Sequence, residues 1–586
     1  MVKKAFHNAL LIQIIAAIVG VIGMVVDGAV TGSCLGTEAM TGFGLASPVV
    51  MIFVAVSGVC ELGTSILTGG LIGARREKEA SAALSSCLAF ALGISLVLTV
   101  AVFSFSRQIA VFLGASDSLA DVTSDYLKGF SLCAPALFLL TTLMPVMQIA
   151  GRQKAVIFSV VVMTAVNIAG DLLVGLVLRG GLFGMALATT VSYYAALFLM
   201  LPLLLGKAGT LKISFRSIQF DHIGAMVLGG LPNALQQACR SLLLLLLNRR
   251  LLVIADSRAV AALTVIMSAA NLCMALGSGI GSSVSMLTGV FAGDRDEHAI
   301  RELMKTALRT AAVYSAVLWA VLFFGAGLFM PMFTSDPALL ELAVTGFRIY
   351  SLSMVGYSIN VTLRLYYQAM KLSLLSHVYV FCNSFLFPAL AAFLLSAELG
   401  TNGIWLSFLF GETVTLLALT AWILFSTEKG SSLTDRAMLI PPKLTEGIIS
   451  CFDSGAGDPA GIIRMSEQVR GFCAKNGADS RTAYTLSLCV EELGNYILKN
   501  DSGHGKTVEV RVLRTDDGWV MNMRDNGKLM NPLSVLKEDR NYHPSRILSE
   551  ERTDAFSFIG IKLACDMSRK IEYLDTLNIN NLSIEV

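Results

Sequence analysis

The chain is poor in charge. Of its 586 residues, only 15% are Asp, Glu, Lys or Arg, and 55% are hydrophobic. An ordinary soluble protein carries about 25% charge, so a wholly water-exposed chain and a disordered one are both excluded. Proline (13), tryptophan (4) and histidine (6) are scarce as well, which leaves no material for a collagen-like segment or a histidine-rich metal tract. The 11 cysteines are scattered, many inside apolar runs (Cys34, Cys60, Cys87, Cys133, Cys239, Cys273, Cys382). Without a CxxC pair or zinc spacing, disulfides and metal clusters are not expected. The net charge is +2 with no basic patch, so nucleic acid is not an expected partner. Met1-Val-Lys-Lys leads into a long apolar run without a small-residue cleavage site, which reads as a retained first helix.

The shortage of charge is uneven. Residues 1–430 hold 25 Lys+Arg and 20 Asp+Glu, whereas residues 431–586 hold 19 and 22. The first part is adapted to lipid and the second has the charge density of a soluble domain. A bilayer crossing needs about 20 apolar residues. Breaking residues 1–430 at charged and Gly/Pro clusters gives twelve such spans, centred near Val19, Val56, Gly93, Ala136, Thr164, Leu197, Ser241, Ala275, Val317, Ile359, Phe385 and Thr415. With the N-terminus inside, inner loops carry about twice as many Lys and Arg as outer loops, as the positive-inside rule requires. The expected location is the plasma (inner) membrane, with both the N-terminus and residues 446–586 in the cytoplasm.

The apolar part repeats itself. Gly73-Ala-Arg75 recurs as Gly293-Asp-Arg295, and Ala115-Ser-Asp117 as Thr334-Ser-Asp336. Gln148 recurs as Gln368, and Gly181-x-x-Gly184 as Gly400-x-x-Gly403. Every offset is 219 or 220 residues. The expected architecture is therefore an all-α polytopic membrane protein with two six-helix lobes, 1–215 and 216–430. A linker, 431–445, and an α/β domain, 446–586, follow. Two such repeats rocking about a cavity near the midplane make a transporter.

Ionisable residues inside spans are costly and mark pathways. In the first lobe these are Asp27, Glu61 and Asp171, with Asn167 one helical turn before Asp171 on the same face. A carboxylate beside an amide in low dielectric is a switch for a proton or sodium ion. In the second lobe Arg240, Arg364 and Glu412 fall in apolar runs, and an Arg364–Glu412 ion pair is expected. Met354, Tyr366 and Tyr367 read as packing. Pro48, Pro135, Pro145, Pro232 and Pro388 read as kinks or hinges.

Residues 1–430 resemble the multidrug and toxic compound extrusion (MATE) branch of the polysaccharide and lipid flippase superfamily. The text that carries this is VVDGAVTGSCLG, GLIGARREKEA, NIAGDLLVG…GLFGMALATT, LPNALQQACRS and MFTSD…YYQAM. The resemblance implies a cation-coupled antiporter, driven by H+ or Na+, that exports small organic or cationic compounds. It also implies a first-lobe cluster at Asp27, Asn167, Asp171 and Thr189, joined by Tyr126. Relatives also move lipids or lipid-linked glycans, so a flippase with a lipid substrate is the alternative.

Residues 446–586 resemble the GHKL-type ATPase fold, in particular its anti-sigma-factor serine kinase branch. Val490-Glu-Glu-Leu-Gly-Asn495 with Lys499 resembles its N-box, Arg524-Asp-Asn-Gly527 its adenine box, and Ile559-Gly560 a phosphate-binding helix start. The resemblance implies ATP held by Asn495, Lys499, Asp525, Gly527 and Gly560. It also implies Mg2+ on Asn495, and Glu491 orienting water or a hydroxyl. ATPase or serine/threonine kinase activity toward a protein partner would reside here, making a transporter-derived sensor the third reading. Leu529 and Phe558 depart from the pattern and bear on hydrolysis. Gly505-Lys-Thr507 imitates a Walker ending but lacks its first glycine, since residue 500 is Asn500.

Overall fold

The computed structural model of the chain describes all residues except 31–34, 116, 206–210, 212, 214–217, 333–335, 427–432, 445, 500–506, 528–530, 532–561, 563–564 and 578. The first lobe runs α1 (Val2–Val30), α2 (Gly36–Gly73), α3 (Glu77–Ser104), α4 (Ser106–Phe112), α5 (Asp117–Ser131), α6 (Ala134–Ile149), α7 (Gln153–Leu172) and α8 (Gly181–Leu205). The second runs α9 (Phe220–Ile254), α10 (Ser257–Gly293), α11 (Glu297–Phe329), α12 (Pro337–Ser351), α13 (Ser353–Ala369), α14 (Ser373–Phe381), α15 (Phe387–Leu399) and α16 (Thr401–Ser426).

Among the described residues, eight helices are long and apolar enough to cross a membrane, or ten if each of two bent pairs is one span. That is fewer than the twelve expected. All twelve expected centres lie on helices or the short π-helical turns within them, and the remaining two fall on α1 and α9, of 29 and 35 residues. Helix α9 is diluted by Gln236, Gln237, Arg240, Asn248, Arg249 and Arg250. The two bent pairs turn by 45° between α5 and α6 and by 46° between α12 and α13. Pro135 begins α6 directly after the first bend, where its missing N–H costs nothing. Pro48, Pro145 and Pro232 lie within α2, α6 and α9.

The repeat is visible in the backbone. Residues in the left-handed region recur at the same offset: Arg75 with Arg295, Gly151 with Lys371, and Gly181 with Gly400. Corresponding spans of the two lobes both carry a π-helical segment, Leu173–Leu178 after α7 and Cys382–Leu386 after α14. Such segments are rare and collect at functional sites.

The lobes meet backbone to backbone. Helix α2 crosses α9 and α10 at glycines: a methyl at Gly63 would lie 2.0 Å from the Met226 carbonyl oxygen, and one at Gly230 would lie 2.1 Å from that of Val59. At the loop end, Gly73 faces the Val290 carbonyl and Gly293 faces that of Gly70 in the same way. No larger residue fits, so these glycines set the distance between the lobes.

After the short helix α17 (Leu433–Ala437) comes a two-layer α/β unit. Five strands, β1 (Ile448–Ala456), β2 (Val508–Thr515), β3 (Gly518–Asp525), β4 (Lys570–Thr576) and β5 (Ile579–Glu585), form an antiparallel sheet in the order β1-β2-β3-β5-β4. Helices α18 (Pro459–Lys475) and α19 (Ser480–Lys499) bury its apolar face through Val510, Val512, Met521, Met523, Leu582 and Ile584. The strand period of two puts Glu509, Arg511, Asn522, Arg524 and Asn581 on the opposite face. That face meets the helical bundle.

Substituting Gly63 by Ala wedges the lobes apart. The expected result is a lower thermal midpoint, by about 1–3 kcal/mol of overpacking. Gly44→Ala, where a methyl meets nothing within 4 Å, leaves the midpoint unchanged. Equal midpoints for the two variants would contradict the close crossing.

Candidate functional site

Asp171 lies at the end of α7, fully buried, directly before the π segment. Its carboxyl faces that of Asp27 on α1 at hydrogen-bonding reach. Both Asp171 oxygens and one Asp27 oxygen are buried without a donor among the described residues. A hydrogen bond between two carboxyls requires a proton on one of them. Without it, two like charges oppose each other in a dry site.

Asn167 sits one turn before Asp171 and donates its amide to Thr189 Oγ1 of α8 at 3.4 Å. Gly23, one turn before Asp27, packs beside Asn167; a methyl there would make an ordinary contact with the Asn167 amide oxygen at 3.5 Å. Tyr126 on α5 is buried, stacks on Phe130 and meets Phe43 edge-on. It lies within electrostatic reach of both aspartates. So Asp27, Asn167, Asp171, Thr189 and Tyr126 are brought together. Tyr193 joins them through Asp27. It was missed because a tyrosine in an apolar run reads as packing, yet it stands one turn after Thr189. Glu61 is not part of the group: it is half-buried on α2 and pairs with no described residue.

The second lobe corrects one expectation. Arg364 and Glu412 form no ion pair. The Glu412 carboxylate accepts instead from Asn360 at 2.5 Å and Asn383 at 2.8 Å. Tyr379 donates to the Asn360 amide oxygen. Asn360 and Asn383 were overlooked because amides carry no charge to attract notice in an apolar run.

A third site joins the sheet to both lobes. Arg524 on β3 forms ion pairs with Asp296, at 2.6 Å, and with Asp294. Arg511 on β2 pairs with Asp296 at 3.0 Å and donates to the Arg295 carbonyl at 2.9 Å. These acceptors belong to the second lobe. From the first lobe, Arg75 donates to Asn581 at 2.7 Å and Asn522 at 3.3 Å, and the Ile149 carbonyl accepts from the Leu577 N–H at 2.9 Å. Tyr366 and Tyr367 donate to the Met438 and Ala437 carbonyls at 2.9 and 2.8 Å, so the expected packing residues also anchor α17. Burial alone would raise the Asp296 carboxyl, but the Arg524 and Arg511 charges outweigh it and hold it below its ordinary range. Burial likewise lowers Arg75 despite nearby Asp294.

In the α/β unit, Glu491 and Asn495 share a face of α19, both half-buried, with Lys499 exposed at its end. Asp525 is buried at the end of β3, and its Oδ1 accepts from the Gly527 N–H at 2.9 Å and the Asn580 amide at 2.8 Å. Gly560 and most of the segment around it lie outside the described residues. Strand β1 was not foreseen, because its apolar residues are interrupted by Asp453, Ser454 and Gly455 at the sheet edge.

The MatE family matches residues 13–173 and 232–394, more than half of the chain. The probable multidrug resistance protein YoeA of Bacillus subtilis (strain 168) is 27% identical over 32% of this chain. The uncharacterized transporter YisQ of the same organism is 21% identical over 55%. The matched stretches span 41% of the length of YoeA and 72% of YisQ. Among solved structures, the outward-facing conformation of a multidrug resistance MATE family transporter of the MOP superfamily superposes with a TM-score of 0.67. It is 19% identical, and the match covers 71% of this chain and 94% of that one. Two matched halves, two lobes with recurring backbone turns and a shared helical fold lead to one conclusion: the chain belongs to the MatE family.

Proposed function

We propose that this chain is a cation-coupled antiporter of the plasma membrane that exports small organic compounds, and that its C-terminal domain regulates it from the cytoplasm. The observation that carries the first part is the Asp27–Asp171 pair, in which both Asp171 oxygens and one Asp27 oxygen lack a donor among the described residues. Its occupant is H+ or Na+. Loading with the ion removes the repulsion; unloading restores it and separates α1 from α7. The curated relative named as a probable multidrug resistance protein supports small organic compounds as the cargo.

Regulation rests on where the sheet is docked. The pairs made by Arg524, Arg511 and Arg75 tie both lobes to one rigid sheet, beside the crossing at Gly73 and Gly293. Opening on that face requires breaking them. Nucleotide supplies the signal in this reading. Adjacent residues of β3 point to opposite faces, so Arg524 holds the loops while Asp525 faces the helical layer. ATP with its base on Asp525 and Gly527, Mg2+ on Asn495 and phosphates toward Lys499 would shift β3 and loosen the clamp. When bound, the nucleotide contributes charge and shape; the chain supplies the coupling.

Four outcomes test this reading. Export of a fluorescent organic cation from vesicles falls to background in Asp171→Asn at equal protein level; full export would remove the coupling role. Arg524→Ala raises the export rate several-fold, and an unchanged or lower rate would remove the restraint. Magnesium ATP raises the thermal midpoint of the full-length protein, by about 2.7 kcal/mol at a hundred times Kd. Asn495→Ala abolishes that rise, and a midpoint that ATP does not move would dispose of nucleotide sensing. The lowered Asp296 carboxyl fixes the pH response of docking. A depressed group stabilises above its unfolded pKa, about 4 for Asp, and loses that contribution as pH falls through the lower folded value. Protease accessibility of the linker is therefore flat from neutral to mildly acidic pH and rises only in strong acid. A rise near neutrality would contradict the clamp as described.

A further inference from the structure

The second lobe contains a small, mostly apolar cavity of about 60 Å³, carrying a few polar groups, that the coupling pair does not use. It lies among α9, α10, α13, α16 and the π segment after α14, and it is lined by Gln236, Arg240, Tyr357, Asn383 and Glu412, among others. Its charge balance is unusual for a span. Glu412 is already satisfied by two amides, Asn360 and Asn383. Arg240 reaches only the Met274 sulfur, at 3.2 Å, and a thioether is a weak acceptor. Arg364, 4% exposed and one turn after Asn360, has Nε and Nη1 buried without a partner. Arg240 and Glu412 are both within its electrostatic reach. Two guanidinium groups therefore share one carboxylate that is bound elsewhere.

An uncompensated guanidinium inside a bilayer is expensive, and such groups mark substrate paths. An anion entering the cavity would supply the missing partner. Guanidinium forks suit carboxylate and phosphate. The volume admits one such group and not a whole drug. Helix α9 also packs against α2 of the first lobe, so the cavity borders the interface at which the lobes rock.

We propose that Arg240, which lines the cavity with the Arg364 charge within electrostatic reach behind it, forms a subsite for the acidic group of the transported compound, so that cargo is an organic acid or zwitterion and not only a cation. This rests on the transporter reading and names its substrate class. An anion in the second lobe and a cation in the first also keep the two loads apart, one per lobe. The acidic group could come from a soluble molecule or from an anionic lipid headgroup.

The test reads binding and not transport, so it stands whether or not the aspartate pair drives export. Full-length protein in phosphatidylcholine nanodiscs is titrated with rhodamine B, a zwitterion with a free carboxylate, and with its ethyl ester, followed by fluorescence anisotropy. The acid is expected to bind wild type roughly tenfold more tightly than the ester, the worth of a charge-assisted hydrogen bond. Arg240→Gln removes that preference and leaves ester binding unchanged; Arg240→Lys restores part of it. Equal binding of acid and ester to wild type, or equal loss of both in Arg240→Gln, would overturn the proposal. Repeating the titration with phosphatidylglycerol in the disc separates the sources. Competition in wild type but not in Arg240→Gln assigns the site to a lipid headgroup, and no competition assigns it to a soluble acid.

Discussion

Two carboxyl groups that face each other in a dry helix bundle cannot both be charged. At about 4 Å, like charges in a low-dielectric interior repel by far more than a protein can spare, whereas in water the same pair costs about 1 kcal/mol. On the antiporter reading proposed above, the Asp27–Asp171 contact is what would make the first lobe sensitive to one small ion. Around it lie the π segment after Asp171, the Asn167–Thr189 bridge between α7 and α8, and Gly23 of α1, packed beside Asn167.

The second constraint is geometric. Glycines at 63, 73, 230 and 293 bring α2 within backbone contact of α9 and α10, so the lobes cannot slide without moving as bodies. In the proposed transport cycle rocking is the motion left, and the sheet sits beside the crossing at Gly73 and Gly293. Its polar face would be solvated in a free domain. Here it is consumed by Asp294, Asp296 and Arg75, in loops that are copies of each other. The duplication thus provides two equivalent handles, and one domain holds both. The lobes are equivalent in backbone but not in chemistry. Tyr193 in the first occupies the position of Glu412 in the second, by the same 219-residue offset. One lobe gathers carboxyls and the other guanidiniums.

Much of this was legible in the sequence, and the reasons are specific. Asp27 and Asp171 stand out because charge is rare in apolar runs, and Asn167 because it lies one helical turn before Asp171; Thr189 enters only through the family resemblance. The repeat shows because Gly73-Ala-Arg75 and Gly293-Asp-Arg295 carry a left-handed turn that few residues adopt cheaply. Strands β2 and β3 announce themselves by alternation. What stayed hidden is long-range pairing. Nothing local says that Arg524, the first residue of a nucleotide-like motif, belongs to Asp294 and Asp296 more than two hundred residues away. Nor does Arg364 reveal that Asn360 and Asn383 occupy Glu412 first. Glu61 shows the converse: a charge in a span that the fold does not bring to the others.

The most direct measurement is the infrared absorption of protonated carboxyl groups in purified full-length protein at neutral pH, without sodium. The account predicts a carboxylic-acid band in wild type that vanishes in Asp171→Asn and in Asp27→Asn, and in wild type on saturation with sodium if sodium is the coupling ion. A spectrum in which both aspartates are ionised in sodium-free solution, unchanged by either substitution, would contradict it.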